Sequence, residues 1–418
     1  MPIERCPLGA AMGRVIAETV VARASVPPWR SASMDGYAVR ARDIATVPCT
    51  LHVVGESVAG SARPIEVTSG NAVRIMTGAP VPEGADTVVR VEDTDEWTTD
   101  LANAPGGDSA STPRAASTDA GRRSVQIRSS RDAGRNVRPL GEDFHAGDVL
   151  MTASECITPA AIGVLASGGM ATVATYRAPM VSIVSSGDEL VRVENFAAVV
   201  NGEKIVSSNS YALPALVRDA GGVPRDGGIT PDSPTALRNA INAAMACDLL
   251  ITTGGVSVGE RDYTRAVMRD LGADIKFWRA RIRPGGPIAF GVVDGLPWIG
   301  LPGNPVSALV TFELFVRPAI RKMLGETLLF PARQVVTLDE HVAVSGDLTH
   351  YLRVVVTDRD GILHARLTGT QSSAALTSML RANALLILPE GKRECEPGEL
   401  LHAIPLSGST PRSSVFPA

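Results

Sequence analysis

The sequence predicts a multidomain protein of the α/β-plus-β class, and three observations carry this prediction. The chain has 418 residues, which exceeds one ordinary core and indicates roughly two to four domains. From residue 178 onward, apolar strand-like runs alternate with helix-like runs over roughly 150 residues, the pattern of a parallel sheet with helices on both faces. Short alternating runs before and after this region are typical of separate β modules.

Bulk composition excludes several classes of protein. The chain is 44% hydrophobic and 20% charged with a net charge of −4, so no overall charge attracts nucleic acid or an anionic membrane. The five cysteines are scattered without a C-x-x-C spacing, which argues against a zinc knuckle or a disulfide framework. No signal peptide and no apolar run of about 18 residues is found. We therefore expect a cytoplasmic protein that binds neither nucleic acid nor membrane.

The first 177 residues predict two kinds of structure. Residues 6–25 read as a short helix followed by a strand, and residues 47–92 read as short strands of an all-β module. Residues 101–121 are almost wholly Ala, Ser, Thr, Gly, Pro and Asp, a composition typical of a flexible insertion. A helix is expected over residues 158–169, with Thr158 as its cap.

The middle region predicts strands and helices in alternation. "MVSIVSSG" and "DLLITTGG" read as buried strands, whereas "SNSYALPALVRDAGG" and "DYTRAVMRDLGA" read as helices. Ser233 and Asn304 are expected to cap two further helices, each with proline at its first position. After residue 331 strand patterns return and predict a small β-barrel or sandwich.

Four strand-to-helix junctions of the middle region carry polar residues suited to ligand binding. They are "SSGDEL" (185–190), "SSNSYAL" (207–213), "TTGGVSVGERDYT" (252–264) and "GLPGNPVS" (300–307). In open α/β sheets ligands bind where strands end, and helix N-termini there attract phosphate or another oxyanion. Glu189, Asp232 and Asp262 could supply oxygen ligands to Mg²⁺ beside such an anion. Taken singly, each also fits an ordinary role as a helix cap or a first-turn acid.

A basic run, "FWRARIRPGGP", adds a second candidate feature. On one strand Arg279, Arg281 and Arg283 would share a face and could hold a multiply charged oxyanion, or they could keep an edge strand soluble. In the N-terminal half, Asp35, Thr77 and Asp143 lie in turn-like segments. We find no Ser-His-Asp arrangement, HExxH, Walker A or GxGxxG motif.

Together these segments resemble the molybdopterin molybdotransferases, represented by MoeA in bacteria and by the E-domains of gephyrin and plant Cnx. The segments that carry the resemblance occur in the family's order over most of residues 10–325. They are "PPWRSASMDGYAVRARD", "RIMTGAPVPEGADTVV", "NVRPLGEDF", "SSGDEL", "SSNSYAL", "TTGGVSVGERDYT", "RPGGPIAFG" and "GLPGNPVSALVTFELFVRP".

The resemblance implies an elongated homodimer of four-part subunits. The expected parts are a helical linker domain (1–40 and 141–177), a β lid domain (41–140, with 101–121 as a flexible insertion), a MogA-like doubly wound α/β domain (178–327) and a small C-terminal β-barrel (328–410). It implies insertion of molybdate into adenylylated molybdopterin with release of AMP. The site would lie between the α/β domain of one subunit and the lid of the other, and a MogA-like adenylyltransferase and apo-molybdoenzymes would be partners.

The resemblance also implies roles for individual residues. The catalytic set would be Asp262, Glu189, Asp35, Thr77, Asp143, Arg279 and Arg283, and Mg²⁺ would be held by Asp262, Glu189 and Asp232. The substrate-binding set would be Asn209, Ser207, Gly254, Gly255, Ser257, Pro302 and Pro305.

Two departures from the family keep other functions open. The family's usual "KPGKP" is "RPGGP" here, so Gly286 lacks a charge, and the usual N-terminal amphipathic helix is largely missing. These features suit a weakly catalytic dimeric scaffold that binds molybdopterin. The α/β region alone would also suit a MogA-like molybdopterin adenylyltransferase.

Overall fold

The computed structural model describes residues 1–60, 65–97, 124–255 and 263–407. The predicted flexible insertion, residues 101–121, lies outside these ranges, as do two predicted site residues, Ser257 and Asp262. No helix of the described ranges is long and apolar enough to span a membrane.

The part of the chain before residue 178 is built mainly of short strands. Its elements are β1 (Ile3–Pro7), β2 (Val20–Val21), β3 (Ser31–Ala32), β4 (Gly36–Val39), β5 (Cys49–Ser57), β6 (Asn71–Ile75), β7 (Thr87–Arg90), β8 (Ser124–Ile127), β9 (Val137–Arg138), β10 (Val149–Met151), α1 (Pro159–Ser167) and β11 (Thr172–Tyr176).

Besides the short pair of β3 with β9, two groups of strands form in this part. Five strands pair in the order β7-β4-β6-β5-β8, the β module that the alternating pattern predicts. The flanking segments pair with each other, β1 with β11 and β2 with β10, so they enclose the module in sequence. The short helix predicted within residues 6–25 is only a 3₁₀ turn at Leu8–Ala10. The residues directly before this turn belong to β1, which pairs with β11. The predicted Thr158 cap is confirmed, since its Oγ1 accepts a hydrogen bond from Ala161 N at 3.2 Å.

The middle of the chain forms the α/β domain. Its strands are β12 (Met180–Ser186), β13 (Leu190–Val191), β14 (Ile205–Val206), β15 (Val223–Thr230), β16 (Leu249–Thr253), β17 (Asp274–Trp278), β18 (Ile282–Arg283), β19 (Ala289–Val293) and β20 (Leu296–Leu301). Its helices are α2 (Phe196–Val200), α3 (Asn209–Asp219), α4 (Pro234–Ala244), α5 (Thr264–Asp270), α6 (Pro305–Thr311) and α7 (Arg317–Met323), with a π-helical turn at Phe312–Val316 between the last two.

One six-stranded sheet, in the order β15-β12-β16-β20-β19-β17, forms the core of this domain. The first four strands are parallel, as predicted, whereas β19 and β17 are antiparallel additions at one edge. Residues of α3, α6 and α7, such as Leu213 and Ile320, pack on one face. Residues of α4 and α5, such as Ile241 and Met268, pack on the other. The sheet is therefore doubly wound.

The C-terminal part is a closed barrel. Its elements are β21 (Gln334–Leu338), β22 (Val342–Ala343), β23 (Thr349–Arg359), β24 (Ile362–Leu367), α8 (Leu376–Arg381), β25 (Ala384–Leu388), β26 (Glu394–Cys395) and β27 (Leu400–Pro405). Five strands follow one another as β23-β24-β21-β27-β25, and β25 pairs again with β23 to close the ring. Strand β18 of the α/β domain pairs with β23, which joins the barrel to the sheet domain.

Two predicted helix caps are wrong in detail. Ser233 and Asn304 occupy the N-cap positions of α4 and α6, but neither side chain accepts a capping hydrogen bond. The Asn304 amide instead donates to Ser373 Oγ at 3.1 Å. The side chain thus serves a contact with the barrel rather than its own helix.

Asp248 joins the linker segment to the sheet domain, and we predict that its ionisation contributes to stability. Its carboxylate accepts hydrogen bonds from Arg177 (2.7 and 2.9 Å) and from Met180 N (2.7 Å). Burial raises the pKa of this carboxyl group, but the hydrogen bonds and charge of Arg177 and the Met180 N–H outweigh burial and lower the pKa overall. The stabilisation is therefore complete above the ordinary pKa of 3.8 and is lost as the pH falls through the lowered value.

Asp248→Asn should lower the free energy of unfolding at neutral pH by about 1–3 kcal/mol and flatten its decline in acid. Urea unfolding between pH 3 and pH 7 measures both effects. The matched control is Asp270→Asn, which removes an exposed pair with Arg238 and should change stability by about 0.5 kcal/mol or less. Equal effects of the two substitutions would contradict the assignment.

Candidate functional site

The carboxyl ends of four parallel strands meet at one edge of the sheet. These ends are Ser186 of β12, Thr230 of β15, Thr253 of β16 and Leu301 of β20. From β12 the chain passes to β15 on one side, and it later returns to β16 on the other side. The point between β12 and β16 is thus a topological switch point, where open α/β sheets bind ligands. The predicted polar junctions lie at this edge.

The turn after β16 requires glycine. Gly254 has φ +89° and Gly255 has φ +64°, in the left-handed region that favours glycine. A Cβ on Gly254 would lie 2.5 Å from Ser186 O, and one on Gly255 would lie 2.4 Å from Thr264 Oγ1. The Thr264 hydroxyl donates to Gly254 O at 3.3 Å. The two glycines therefore let this turn pack directly against the end of β12 and the start of α5.

Asn209 links three of the junctions beneath the edge. Its side chain is buried, and Nδ2 donates to Thr253 Oγ1 and to Gly303 O, both at 2.9 Å. Thr253 Oγ1 donates in turn to Pro302 O at 3.0 Å. The start of α3, the end of β16 and the loop before α6 are consequently held in one arrangement.

Serine hydroxyls bond to each other beside this network. The buried Ser207 Oγ lies 2.7 Å from Ser210 Oγ, which lies 3.2 Å from Ser185 Oγ of β12. The predicted site residue Ser207 therefore helps to join the start of α3 to the strand at the switch point.

Two carboxylates bind each other's backbone across the ends of β12 and β15. Asp188 N donates to Asp232 Oδ2 at 3.3 Å, and Asp232 N donates to Asp188 Oδ1 at 3.1 Å. Asp232 is therefore not the helix cap that it could have been by sequence alone. Glu189 lies in the exposed turn 188–189 and is followed by strand β13 rather than by a helix, so the prediction of Glu189 as a first-turn helix residue is wrong. Asp188, which the sequence analysis left out of the ligand set, forms two hydrogen bonds with Asp232. Within the described residues, no hydrogen bond joins Glu189 to Asp232.

The acidic edge fits a divalent cation that completes its shell with other ligands. No Lys or Arg of the described ranges pairs with the side chains of Asp188, Glu189 or Asp232. Within those ranges, no group of three His, Cys, Asp or Glu side chains is arranged to hold a metal ion. Mg²⁺ commonly binds through one or two carboxylates together with phosphate and water, and the Asp188–Asp232 pair suits that mode.

The three arginines of the basic run do not share one strand face, so that prediction is wrong. Strand β17 ends at Trp278, and Arg279 has φ +150°, which interrupts the extended run before β18 begins. Arg281 forms an ion pair with Glu390 of the barrel and donates to Asp347 O at 3.0 Å. Arg283 Nη1 donates to Ser345 Oγ at 3.2 Å. Two of the three guanidinium groups thus hold the barrel.

The N-terminus of helix α6 is covered by the barrel region. Val306 N donates to Ser373 O at 3.1 Å, and Pro305 at the first helical position has no N–H to offer. The loop before it remains close to the glycine turn, since a Cβ on Gly303 would lie 3.5 Å from Gly254 Cα. The predicted oxyanion site at this helix is therefore already partly occupied by protein contacts, whereas Pro302 and Gly303 face the Asn209 network.

The predicted lid residues form their own small group in the β module. Asp35 Oδ1 accepts hydrogen bonds from Thr77 N at 2.6 Å and from Thr77 Oγ1 at 2.8 Å, and both residues are exposed. Asp143 is also exposed, and its N–H donates to Val26 O at 3.0 Å. Among the described residues, no hydrogen bond or ion pair joins these three to the edge of the sheet.

Comparisons with known proteins match nearly the whole chain. Residues 1–169 match the model of the MoeA N-terminal region (domains I and II), residues 182–322 that of a probable molybdopterin binding domain, and residues 335–406 that of the MoeA C-terminal region (domain IV).

Relatives named molybdopterin molybdenumtransferase cover the same extent. The protein from Haemophilus influenzae is 33% identical over 96% of this chain and 93% of its own length. The protein from Bacillus subtilis is 34% identical over 94% of this chain and 87% of its own length. A crystal structure titled as the molybdopterin biosynthesis MoeA protein of Pyrococcus horikoshii is similar with a TM-score of 0.75 and 27% identity, over 97% of this chain and 95% of that one.

We predict that Gly254→Ala disrupts the turn at this edge, whereas Gly303→Ala does not. The first change places a methyl group 2.5 Å from a backbone oxygen at a positive φ, and the second makes an ordinary 3.5 Å contact. Gly254→Ala should lower the free energy of unfolding by about 1–3 kcal/mol and weaken ligand binding, and Gly303→Ala should change stability by less than about 0.5 kcal/mol. Urea unfolding of both variants checks this, and a Gly254→Ala protein as stable as Gly303→Ala would refute it.

Proposed function

We propose that this chain, which belongs to the MoeA family of molybdopterin molybdenumtransferases, inserts molybdate into adenylylated molybdopterin and releases AMP, giving molybdenum cofactor. Membership rests on relatives at least 30% identical over nearly the full chain. The observation that carries the function is this full-length match, because it includes the N-terminal and C-terminal regions as well as the molybdopterin-binding domain.

The chemistry proposed for the site is mainly positioning and charge stabilisation. Molybdate and the phosphoanhydride of the substrate are anionic, and no residue of the described site is arranged as a nucleophile with its base. The Gly254–Gly255 turn and the Asn209 network would fix the substrate at the switch point. Asp188, Glu189, Asp232 and Asp262 would orient the phosphates through Mg²⁺. When bound, Mg²⁺ would offset the charge that develops on the leaving AMP phosphate.

We also propose that the active protein is a homodimer with a shared site. The exposed pair Asp35 and Thr77, with Asp143, would approach the acidic edge of the other subunit, because no contact in the described residues joins them to the edge of their own chain. Arg279 would lie beside the molybdate region, whereas Arg283, the other arginine expected there, donates to Ser345 of the barrel instead. A cytoplasmic location, and exchange with a MogA-like adenylyltransferase and apo-molybdoenzymes, accompany this proposal.

The two other functions are supported less well. A MogA-like adenylyltransferase needs only the α/β domain, whereas the relatives match this chain across its flanking regions too. A weakly catalytic scaffold is favoured only by the missing charge at Gly286. Arg281 does not replace that charge, because it is paired with Glu390.

We predict molybdate-dependent AMP release that requires Asp262. The purified chain is incubated with adenylylated molybdopterin, molybdate and Mg²⁺, and AMP release and reconstitution of an apo-molybdoenzyme are measured. Asp262→Ala and Asp232→Ala should each slow release by roughly 100-fold, because removal of a carboxylate weakens the hold on the cation and the phosphates. Chelation with EDTA should stop release and added Mg²⁺ should restore it.

Asp274→Ala is the matched control, because Asp274 pairs with Val292 toward the opposite edge of the sheet and is exposed. It should leave release unchanged. Adenylylation of free molybdopterin by ATP would favour the adenylyltransferase instead, and binding without turnover would favour the scaffold. Turnover of Asp262→Ala at the wild-type rate would contradict the role of that residue.

We predict that two inactive variants complement each other when their subunits exchange. Asp35→Ala alters the lid and Asp232→Ala alters the edge, so a mixed dimer with a shared site keeps one intact site. Random reassortment of equal amounts should restore about a quarter of wild-type AMP release. If each site belonged to one chain, mixing would restore no activity.

A further inference from the structure

Lys204 is a basic residue that the structure places at the acidic edge. Its ammonium group donates a hydrogen bond to the backbone oxygen of Asp188, in the turn that follows β12. The next residue, Ile205, begins β14, and its N–H donates to Glu189 O at 2.8 Å. The pairing of β14 with β13 therefore brings the Lys204 side chain back to the carboxyl end of β12.

The ammonium group keeps its charge for a further partner. Asp188 O is a neutral acceptor, and Lys204 forms no ion pair with any carboxylate of the described ranges. An ammonium group has three N–H donors, and Asp188 O accepts from one of them. Because the side chain is only half-buried, the remaining donors can reach a ligand at the edge of the sheet.

The same turn carries the carboxylate pair of the candidate site. Asp188 Oδ1 accepts from Asp232 N at 3.1 Å, and Asp232 Oδ2 accepts from Asp188 N at 3.3 Å. Among the described residues, no other Lys or Arg side chain donates to this turn, and Arg192, which follows β13, pairs with Asp226. Asp188 thus links the Lys204 ammonium group directly to the carboxylates that are proposed to hold the cation.

The charge balance at this edge requires a positive group on the protein. A divalent cation offsets only part of the charge of the three carboxylates, and a bound phosphate adds more negative charge. Arg281 and Arg283 are directed to the barrel, so they do not supply the positive charge here. A lysine ammonium group is a compact point charge that commonly binds phosphate in proteins. The position and the charge of Lys204 therefore suit a phosphate at this edge.

We propose that Lys204 binds a phosphate of the substrate beside the cation, with Asp188 O positioning its ammonium group. This inference rests on the proposed function for the identity of the substrate, whose phosphoanhydride is the group that Lys204 binds. It goes further by assigning phosphate binding to a lysine outside the basic run 277–287. The ammonium group offsets the part of the phosphate charge that the cation leaves.

Binding measurements without turnover test this inference separately from the proposed function. Calorimetry with Mg²⁺ present compares ADP, which contains the same kind of phosphoanhydride, with adenosine, which has no phosphate. Lys204→Met removes the charge and should weaken the binding of ADP by roughly 3- to 12-fold in Kd, the effect of one net hydrogen bond. The Kd for adenosine should change by less than about 2-fold. Lys204→Arg, which keeps the charge, should bind ADP more tightly than Lys204→Met does.

Further measurements separate phosphate binding from a structural role of the side chain. If Lys204 only held the turn, Lys204→Met would weaken the binding of ADP and adenosine alike. In about 0.5 M NaCl the wild-type preference for ADP should shrink, because salt screens the charge, and that of Lys204→Met should change less. Lys276→Met is the matched control, because Lys276 pairs with the exposed Asp274 on the edge strand β17. It should leave both Kd values unchanged.

Three results would overturn the proposal: unchanged ADP binding by Lys204→Met, an equal loss for ADP and adenosine, or no binding of ADP by the wild-type chain. A wild-type preference for ADP that does not change with salt would also overturn it, and this measurement does not depend on the folding of a variant. Absence of AMP release in the enzymatic assay, together with a preference for ADP that depends on Lys204, would count against the proposed function and leave phosphate binding by Lys204 standing.

Discussion

Parallel pairing of β12, β15, β16 and β20 is the constraint on which the site depends. Because the four strands run in one direction, their carboxyl ends lie at one edge of the sheet, and each strand is followed there by a loop. The pairing is secured by buried apolar runs such as Leu249–Ile251 and by helices on both faces. Residues far apart in sequence, including Asp188, Asn209 and Gly254, are therefore brought together by strand direction before any of them contacts a ligand.

The edge is held rigid by hydrogen bonds between backbone and polar side chains. Asp188 and Asp232 each satisfy a backbone N–H of the other, and Asn209 fixes two loops at once. Such bonds fix the positions of these side chains and of the loops that they join. Glycine is needed at Gly254 and Gly255 because a Cβ there would lie 2.5 Å from Ser186 O or 2.4 Å from Thr264 Oγ1.

Sequence reasoning predicted what depends on local pattern and on chain direction. Alternation of strands and helices gave the doubly wound sheet, and Gly-Gly after a buried strand gave the tight turn at the switch point. It was wrong where a side chain could form a hydrogen bond with either of two partners. Asn304 and Ser233 sit at cap positions without capping, because tertiary contacts or turn geometry direct their side chains elsewhere. The prediction that Arg279, Arg281 and Arg283 share a face required one continuous strand. The extended backbone is instead interrupted between the end of β17 and the start of β18.

The reassignment of the arginines changes the electrostatics of the site. Arg281 and Arg283 are directed to the barrel, so their charge is largely used to attach β18 and β23 rather than to gather anions. The carboxylates of Asp188, Glu189 and Asp232 meanwhile form no ion pair among the described residues, although the Lys204 ammonium donates a hydrogen bond to the backbone oxygen of Asp188. An anionic substrate approaching such an edge would be repelled by the carboxylates unless positive charge arrived with it. In the proposed reaction, a divalent cation bound to the substrate phosphates would supply that charge.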